Sequence, residues 1–338
     1  MRDPATIRLL PDGRRLHLND GPIDLIIGAD AAPGEIRGAY EAASTRFFTI
    51  LDELCSELPV LRSRIASTSP LPTGPIARRM FDAVSPYRHH CFITPMAAVA
   101  GAVAEAVLAA MTEAADLARA YVNNGGDIAL HLAAGQFFTI GMVERPDHPS
   151  LFGSMEISAS LPVRGVATSG WRGRSFSLGI ADAVTVLAEH AADADAAATI
   201  IANAIDLPAH PAILRVPARE IAPDSDLLDL PITRSVGPLS PHEIEQALDS
   251  GESVAQELRA QGLIHAAALC LQGYIRLVPV SNFLLRGSAL QLRHQAAKKT
   301  GLQPLRTSSP SHAFRAMNPF LSFAEFNHET SFSRNRGS

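Results

Sequence analysis

The chain has 338 residues, 47% apolar and 19% charged, with a formal net charge of −5. That supports one large core or two modest ones and excludes global disorder. The acidic balance, with lysine only at Lys298 and Lys299, leaves no electrostatic footprint for nucleic acid.

Residues 6–27 alternate apolar and polar positions around a Pro-Asp-Gly and an Asn-Asp-Gly turn, which predicts antiparallel strands. From Glu35 to Leu58, Ile36, Tyr40, Ala43, Phe47, Leu51, Leu54 and Leu58 recur at steps of three and four, the period of an amphipathic helix. Residues 68–75 read as a Pro-rich connector. A second helix is expected to start after Thr94, with Pro95 in its first turn, and to run to about Tyr121. It would end at Asn123-Asn124-Gly125-Gly126. Strands are expected at 127–132, 137–144 and 153–162, and again from Ala183 to Ala188.

An Ala-rich helix follows, and residues 207–239 read as irregular. Ser240-Pro241-His242-Glu243 is a capping box that starts a helix ending near Gly251, with another over Val254–Gln261. Residues 1–75 are assigned to the same fold as a core at 76–285, and 286–338 read as a frayed tail. Helices alternating with short strands predict an α+β layered fold.

Cys55, Cys91 and Cys270 lack CxxC spacing, which points to a reducing compartment and away from a cysteine zinc site. No signal peptide is expected, and Met96 to Met111 is too short and too alanine-rich for a bilayer span. The expectation is a cytoplasmic protein with no membrane or nucleic-acid partner. Its C-terminal helices would either cover a cleft or form a homodimer surface.

Several short stretches carry chemistry. Asn124, Gly125, Gly126 and Asp127 offer a turn whose N–H groups can hold a phosphate or a ring carbonyl, or else a plain helix cap. Thr168, Ser169 and Gly170 form a small-polar turn that is either ligand-binding or a strand end, and Ser169 lacks the GxSxG frame of a nucleophile elbow. Asp195 and Thr199 stand four apart on one helical face, so carboxylate and hydroxyl converge on a site that suits a divalent cation. The other reading of Asp193 and Asp195 is helix-dipole complementarity. His89-His90-Cys91 fits a surface or cleft better than zinc, because adjacent residues point apart. Asp182 is a candidate general base or a turn residue.

In combination these fragments resemble the FAD:protein FMN transferase superfamily, the ApbE-like proteins. The order is Gly101-Ala102-Val103-Ala104, then Asn123 to Asp127, Ala167 to Gly170, Val184-Thr185-Val186, and Ala194-Asp195-Ala196-Ala197-Ala198-Thr199. PMAAVAGAVAE, GIADAVTVLA and GLIHAAALCLQG are similar to an uncharacterised cytoplasmic branch, which extends the likeness to about residues 5–285. The resemblance implies an ApbE-like (T-fold-like) layered sheet with packed helices. It also implies Mg²⁺ held by Asp195, Thr199 and the Ala102 carbonyl, and FAD or FMN, or a related phosphorylated nucleotide, lining Asn124–Asp127 and Thr168–Gly170. The transferase chemistry that the resemblance implies would use Asp182, Arg172 and Arg174 as the catalytic and anion-neutralising groups.

The transferases carry Lys-Gly-Tyr where this chain has Glu105-Ala106-Val107, and a His-Ile-x-Asp-Pro segment where it has Trp171 to Ala183. A negative charge at 105 facing a pyrophosphate would cost about 1–4 kcal/mol. Two alternatives are an accessory enzyme of sulfide assimilation and homocysteine formation, a process linked to some archaeal members, and a non-catalytic ligand-binding module.

Overall fold

The computed structural model describes residues 4–89, 91–143, 151–278 and 285–286. Strands β1 (Thr6–Leu9), β2 (Leu16–Asp20) and β3 (Ile23–Asp30) form a meander, and Leu16, Leu18, Leu25 and Ile27 turn one face inward. Helix α1 (Pro33–Ser56) buries Ala39, Ala43, Phe47, Ile50 and Leu54 at steps of three and four. Each fully buried large side chain such as Phe47 or Ile50 contributes about 1.5–3 kcal/mol. Helix α2 (Leu58–Leu61) is a single turn, and α3 (Pro75–Val84) follows the Pro-rich connector. Helix α4 (Val99–Ala114) is entered through a 3-10 turn at Pro95–Ala98.

Strands β4 (Arg119–Asn124), β5 (Asp127–Leu132), β6 (Phe137–Val143), β7 (Leu151–Ser158), β8 (Gly165–Ser169) and β9 (Ala183–Ala188) lead to α5 (Ala191–Ala204). The chain ends, among the described residues, with β10 (Ile213–Pro217), α6 (Ala218–Ile221), β11 (Pro231–Val236), α7 (Pro241–Ala260), β12 (Ala266–Leu271), β13 (Tyr274–Val278) and β14 (Leu285–Arg286).

Nine strands pair in the order β1-β2-β3-β4-β5-β8-β9-β12-β13, antiparallel throughout. Helices α1, α4, α5 and α7 cover one face in the main core. A smaller sheet, β14-β7-β6, covers part of the other, packing Phe138, Ile140 and Ile157 on Tyr121, Ile128 and Val166. Strands β9 and β12 are buried at every position because both faces are covered, which is why they read as continuous apolar runs. The architecture is α+β and layered, as expected. By length and composition the stretch Pro95–Ala114 could cross a membrane, but here it is a core helix region packed on α1, α5, β4 and β5.

Five readings need correction. The helix expected to reach Tyr121 stops at Ala114, and Arg119–Asn124 pairs as a strand between β3 and β5. Helical period in an alanine run carries little information about where the run ends, and the ladder on both sides of β4 decides it. Asn123–Gly126 is therefore no helix cap but a hairpin, with Asn124 opposite Asp127 and both glycines at positive φ, +68° and +120°. Thr168 and Ser169 close strand β8 and are not a turn.

Residues 207–239 contain the β10–β11 ribbon and α6, with Pro217 opposite Pro231 at its end, an edge position where a missing N–H costs little. Gly251 does not stop α7. A Cβ there would sit 2.2 Å from Ile205 Cγ1, so the glycine admits α5's end against an unbroken helix. His90, the Pro-Asp-His-Pro turn and the tail beyond 286 lie outside the described residues.

Candidate metal and ligand cleft

Three chain segments converge where α5 begins. A Cβ on Gly101 would lie 2.3 Å from the Ala191 carbonyl oxygen, and one on Gly165 would lie 2.2 Å from His190 backbone. Glycine at both positions lets the starts of α4 and β8 touch the start of α5. One turn into α5, Asp195 Oδ2 accepts the Gly101 N–H at 3.0 Å and bonds the Ala100 N–H as well.

The β4–β5 hairpin completes this corner. Gly126 N–H donates to Asn123 Oδ1 at 2.9 Å, which sets the turn, and Asn124 Nδ2 donates to the Ala100 carbonyl at 3.2 Å. Asp127 Oδ1 accepts the Thr168 N–H at 3.2 Å. Asp127 and Asp195 are thereby neighbours. Burial raises the Asp195 carboxyl to about 7, with the two N–H bonds opposing and Glu105 adding to it. Burial and then the Asp195 charge raise Asp127 well above the usual carboxylate range, against the Thr168 bond. Among the described residues neither carboxylate is in an ion pair, and no hydrogen bond engages the Thr199 hydroxyl one turn along α5.

The remaining candidates take different positions. Thr168 Oγ1 is 2.9 Å from Thr185 Oγ1, its cross-strand partner. Arg174 stands over the hairpin, its Nη2 on the Pro22 carbonyl at 3.2 Å and its Nη1 3.4 Å from where a Gly125 Cβ would be. Ala102 is buried in the first turn of α4, and the carbonyl that accepts from the hairpin is that of Ala100.

Asp182, 3% exposed, accepts from Arg172 Nε at 2.6 Å, Trp171 Nε1 at 3.2 Å and the Gln272 N–H at 2.6 Å. Arg172 also stacks 4.3 Å over the Trp171 ring. This group ties the β8–β9 connection to the β12–β13 turn, and Gly170 belongs to it, since a Cβ there would meet the Asp182 carbonyl at 2.6 Å. Ser169 has no bond to it. The structure thus brings together Asn124, Gly125, Gly126, Asp127, Thr168, Asp195 and Arg174, and sets Asp182 and Arg172 in a separate clamp.

Glu105 does not face a ligand as a bare charge. Its Oε1 accepts the Ala192 N–H at 2.7 Å, capping α5, and its carboxylate meets Arg79 Nε at 2.8 Å. Arg79 extends to Asp193 at 2.7 Å. Burial works against the Arg79 charge, but Asp193 and Glu105 outweigh it and its pKa is raised. The cost assigned to Glu105 from sequence is corrected here: Arg79 offsets it. Arg79 has no motif around it, and only the geometry brings it in.

The donor set fits a hard divalent cation: two adjoining carboxylates and a hydroxyl, without nitrogen or sulfur. Among the described residues no group of three or more His, Cys, Asp or Glu gathers, so the protein would share such an ion with water or a ligand.

A family model described as AbpE bacteria matches residues 7–277. A UPF0280 protein of Methanopyrus kandleri is 43% identical over 129 residues, 38% of this chain and 48% of that one. One from Methanothrix thermoacetophila is 40% identical over 133 residues, 39% and 52% of the respective chains. The chain thus spans about half the length of the curated relatives it matches. The crystal structure of the ApbE protein from Thermotoga maritima aligns with 86% of this chain and 98% of that one, at 12% identity and a TM-score of 0.36. With four-fifths of its length matched by the model, the chain belongs to the AbpE bacteria family and is an ApbE-like protein.

Proposed function

We propose that this ApbE-like protein binds a phosphorylated ligand, with a flavin nucleotide as the leading candidate, through Mg²⁺ at the Asp127–Asp195 corner. The observation that carries the reading is the carboxylate pair itself. Each is fixed by backbone N–H groups, and the Asp195 charge works against ionisation of Asp127. A corner that holds them together needs a proton or a cation, and the family resemblance points to the cation. Asp127, Asp195 and Thr199 would hold the ion, which would supply positive charge beside the ligand's phosphate.

The chain's own residues do the rest. The Gly101 and Ala100 N–H groups orient Asp195, Thr168 N–H orients Asp127, and Thr199 offers a third oxygen. Arg174, over the Gly125 turn, supports a role in neutralising the ligand's anion. Asp182 and Arg172 position that region by holding each other.

A second reading, ligand binding without chemistry, is favoured by Asp182. The buried carboxylate best suited by sequence to act as a base has both oxygens occupied by structural donors. Calorimetric titration of the full chain with FAD, with and without Mg²⁺, tests the main proposal. Mg²⁺-dependent binding that Asp195→Asn abolishes supports it, and no flavin or nucleotide binding in either condition overturns it. Binding with no turnover of FAD supports the second reading.

A further inference from the structure

A different cavity, of about 210 Å³, opens on the face of the large sheet that carries β6 and β7. Its floor is aromatic. Gly28 and Tyr121 are cross-strand partners on β3 and β4, and the Tyr121 ring lies so close over Gly28 that a Cβ there would be 2.4 Å from Cε1. Phe138 of β6 meets Tyr121 edge to face, with centroids 6.0 Å apart.

Three arginines and two aspartates line the same space. Arg15 Nε bonds Asp12 Oδ2 at 2.5 Å, and its guanidinium also bonds the Tyr121 hydroxyl. Across the cavity, Arg119 Nε donates to Asp30 Oδ2 at 3.1 Å with Nη2 in ion-pair contact at 3.0 Å, Nη1 donates to the Phe137 carbonyl at 3.2 Å, and the guanidinium stacks 5.3 Å from the Phe138 centroid.

Each guanidinium is therefore fixed along one edge by a carboxylate while carrying more N–H groups than its partners use. Both remain partly open, at 28% and 22% side-chain exposure. Fixing them beforehand lowers the entropy lost when an anion binds. Excess positive charge over an aromatic floor suits a negatively charged head on an apolar body. A second, more open groove shares Arg14, Ala29 and Asp30 with this cavity and runs toward Ile36 and Tyr40 of α1, which extends the space outward. No residue of the Asp127–Asp195 corner lines either space.

We infer that this cavity binds a compact organic acid, its oxyanion head on Arg15 and Arg119 and its apolar body against Tyr121 and Phe138. The head is a carboxylate or a phosphate, since both present paired oxygens to a guanidinium fork. The lining supplies recognition of the acid's charge and of its apolar body. It is independent of the metal corner.

Ligand-observed NMR and calorimetry on the full chain, with benzoate, inorganic phosphate and uncharged benzyl alcohol as probes, test this. Benzoate is expected to bind saturably and benzyl alcohol not to, and the phosphate titration shows whether the head alone suffices. Benzoate affinity should fall by about tenfold or more in Arg15→Gln and in Arg119→Gln. It should be unchanged in Arg46→Gln, whose partner Glu53 is on α1.

Arg15→Lys and Arg119→Lys, with circular dichroism of every variant, separate lost recognition from lost folding: the lysine variants keep charge and should bind better than the glutamine ones. The inference is overturned if wild type shows no saturable benzoate binding up to about 10 mM, the weak end of small-ligand affinity. Equal binding of benzyl alcohol, or an equal loss in Arg46→Gln, overturns it as well.

Discussion

Asp195 and Gly101 are joined by a hydrogen bond of 3.0 Å from the glycine N–H to the carboxylate, which couples the first turn of α4 to the second turn of α5. The absence of a side chain at 101 makes that approach possible, because the space a Cβ would need is taken by the Ala191 carbonyl. Packing and chemistry at this corner are therefore one problem: whatever separates the helices also moves the carboxylate.

Gly101→Ala should destabilise the fold by about 1–3 kcal/mol, since backbone must shift to admit the methyl. Gly34→Ala, with nothing within 4 Å in α1, should be neutral or slightly stabilising. Urea denaturation of both variants checks the contrast, and equal effects would remove the close-approach argument.

Arg79→Met should cost about 1–3 kcal/mol, because Glu105 and Asp193 would be left facing each other without their shared cation. Adding Glu105→Gln should restore part of the loss, as the amide oxygen still caps Ala192 and one charge is gone. A double-mutant cycle by thermal unfolding reads the coupling, and strict additivity would show that the bridge is inert.

Much of this was legible in the chain. The alternation in β3, the apolar steps of α1 and the four-residue spacing of Asp195 and Thr199 are local patterns, and local periodicity survives tertiary packing. What was not legible depends on partners far away in sequence. Gly251 looks like a helix stop until Ile205 is placed against it. Glu105 looks like a charge facing the ligand until Arg79 and the Ala192 N–H are brought to it. Asp127 reads as a strand start and a ligand-binding candidate, but nothing local reveals that β8 sets Thr168, and α5 sets Asp195, beside it.

The cap of α7 gives a pH dependence. The His210 hydrogen bond first, and then the Ser240 N–H and hydroxyl, hold the Glu243 carboxyl down to about 2 from 4.5. A depressed folded pKa means the unfolded state takes up the proton first as pH falls. The cap's contribution is therefore complete above about pH 5 and lost progressively between about pH 4.5 and 2. Glu243→Gln should lack that acid-dependent part, which thermal unfolding from pH 2 to 6 will show. An unchanged acid limb in the variant would contradict it.

Gly125→Ala should lower stability by about 1 kcal/mol or more, because φ of +68° strains any residue with a Cβ. The new methyl also arrives at 3.4 Å from Arg174 Nη1, so the arginine over the turn must give way. Ligand affinity at the corner should fall together with stability, whereas Gly13→Ala, also at positive φ but with nothing nearby, should affect stability alone.

The most direct measurement of the central claim is a calorimetric Mg²⁺ titration of the full chain, carried out on wild type, Asp127→Asn, Asp195→Asn and the double variant. Saturable Mg²⁺ binding, lost in each single variant while each melts cooperatively, is the predicted result. The opposite sign of effect on the fold is also predicted: each asparagine relieves the repulsion of the pair and raises Mg²⁺-free stability. Mg²⁺ binding that survives the double variant, or none in wild type, would contradict the account.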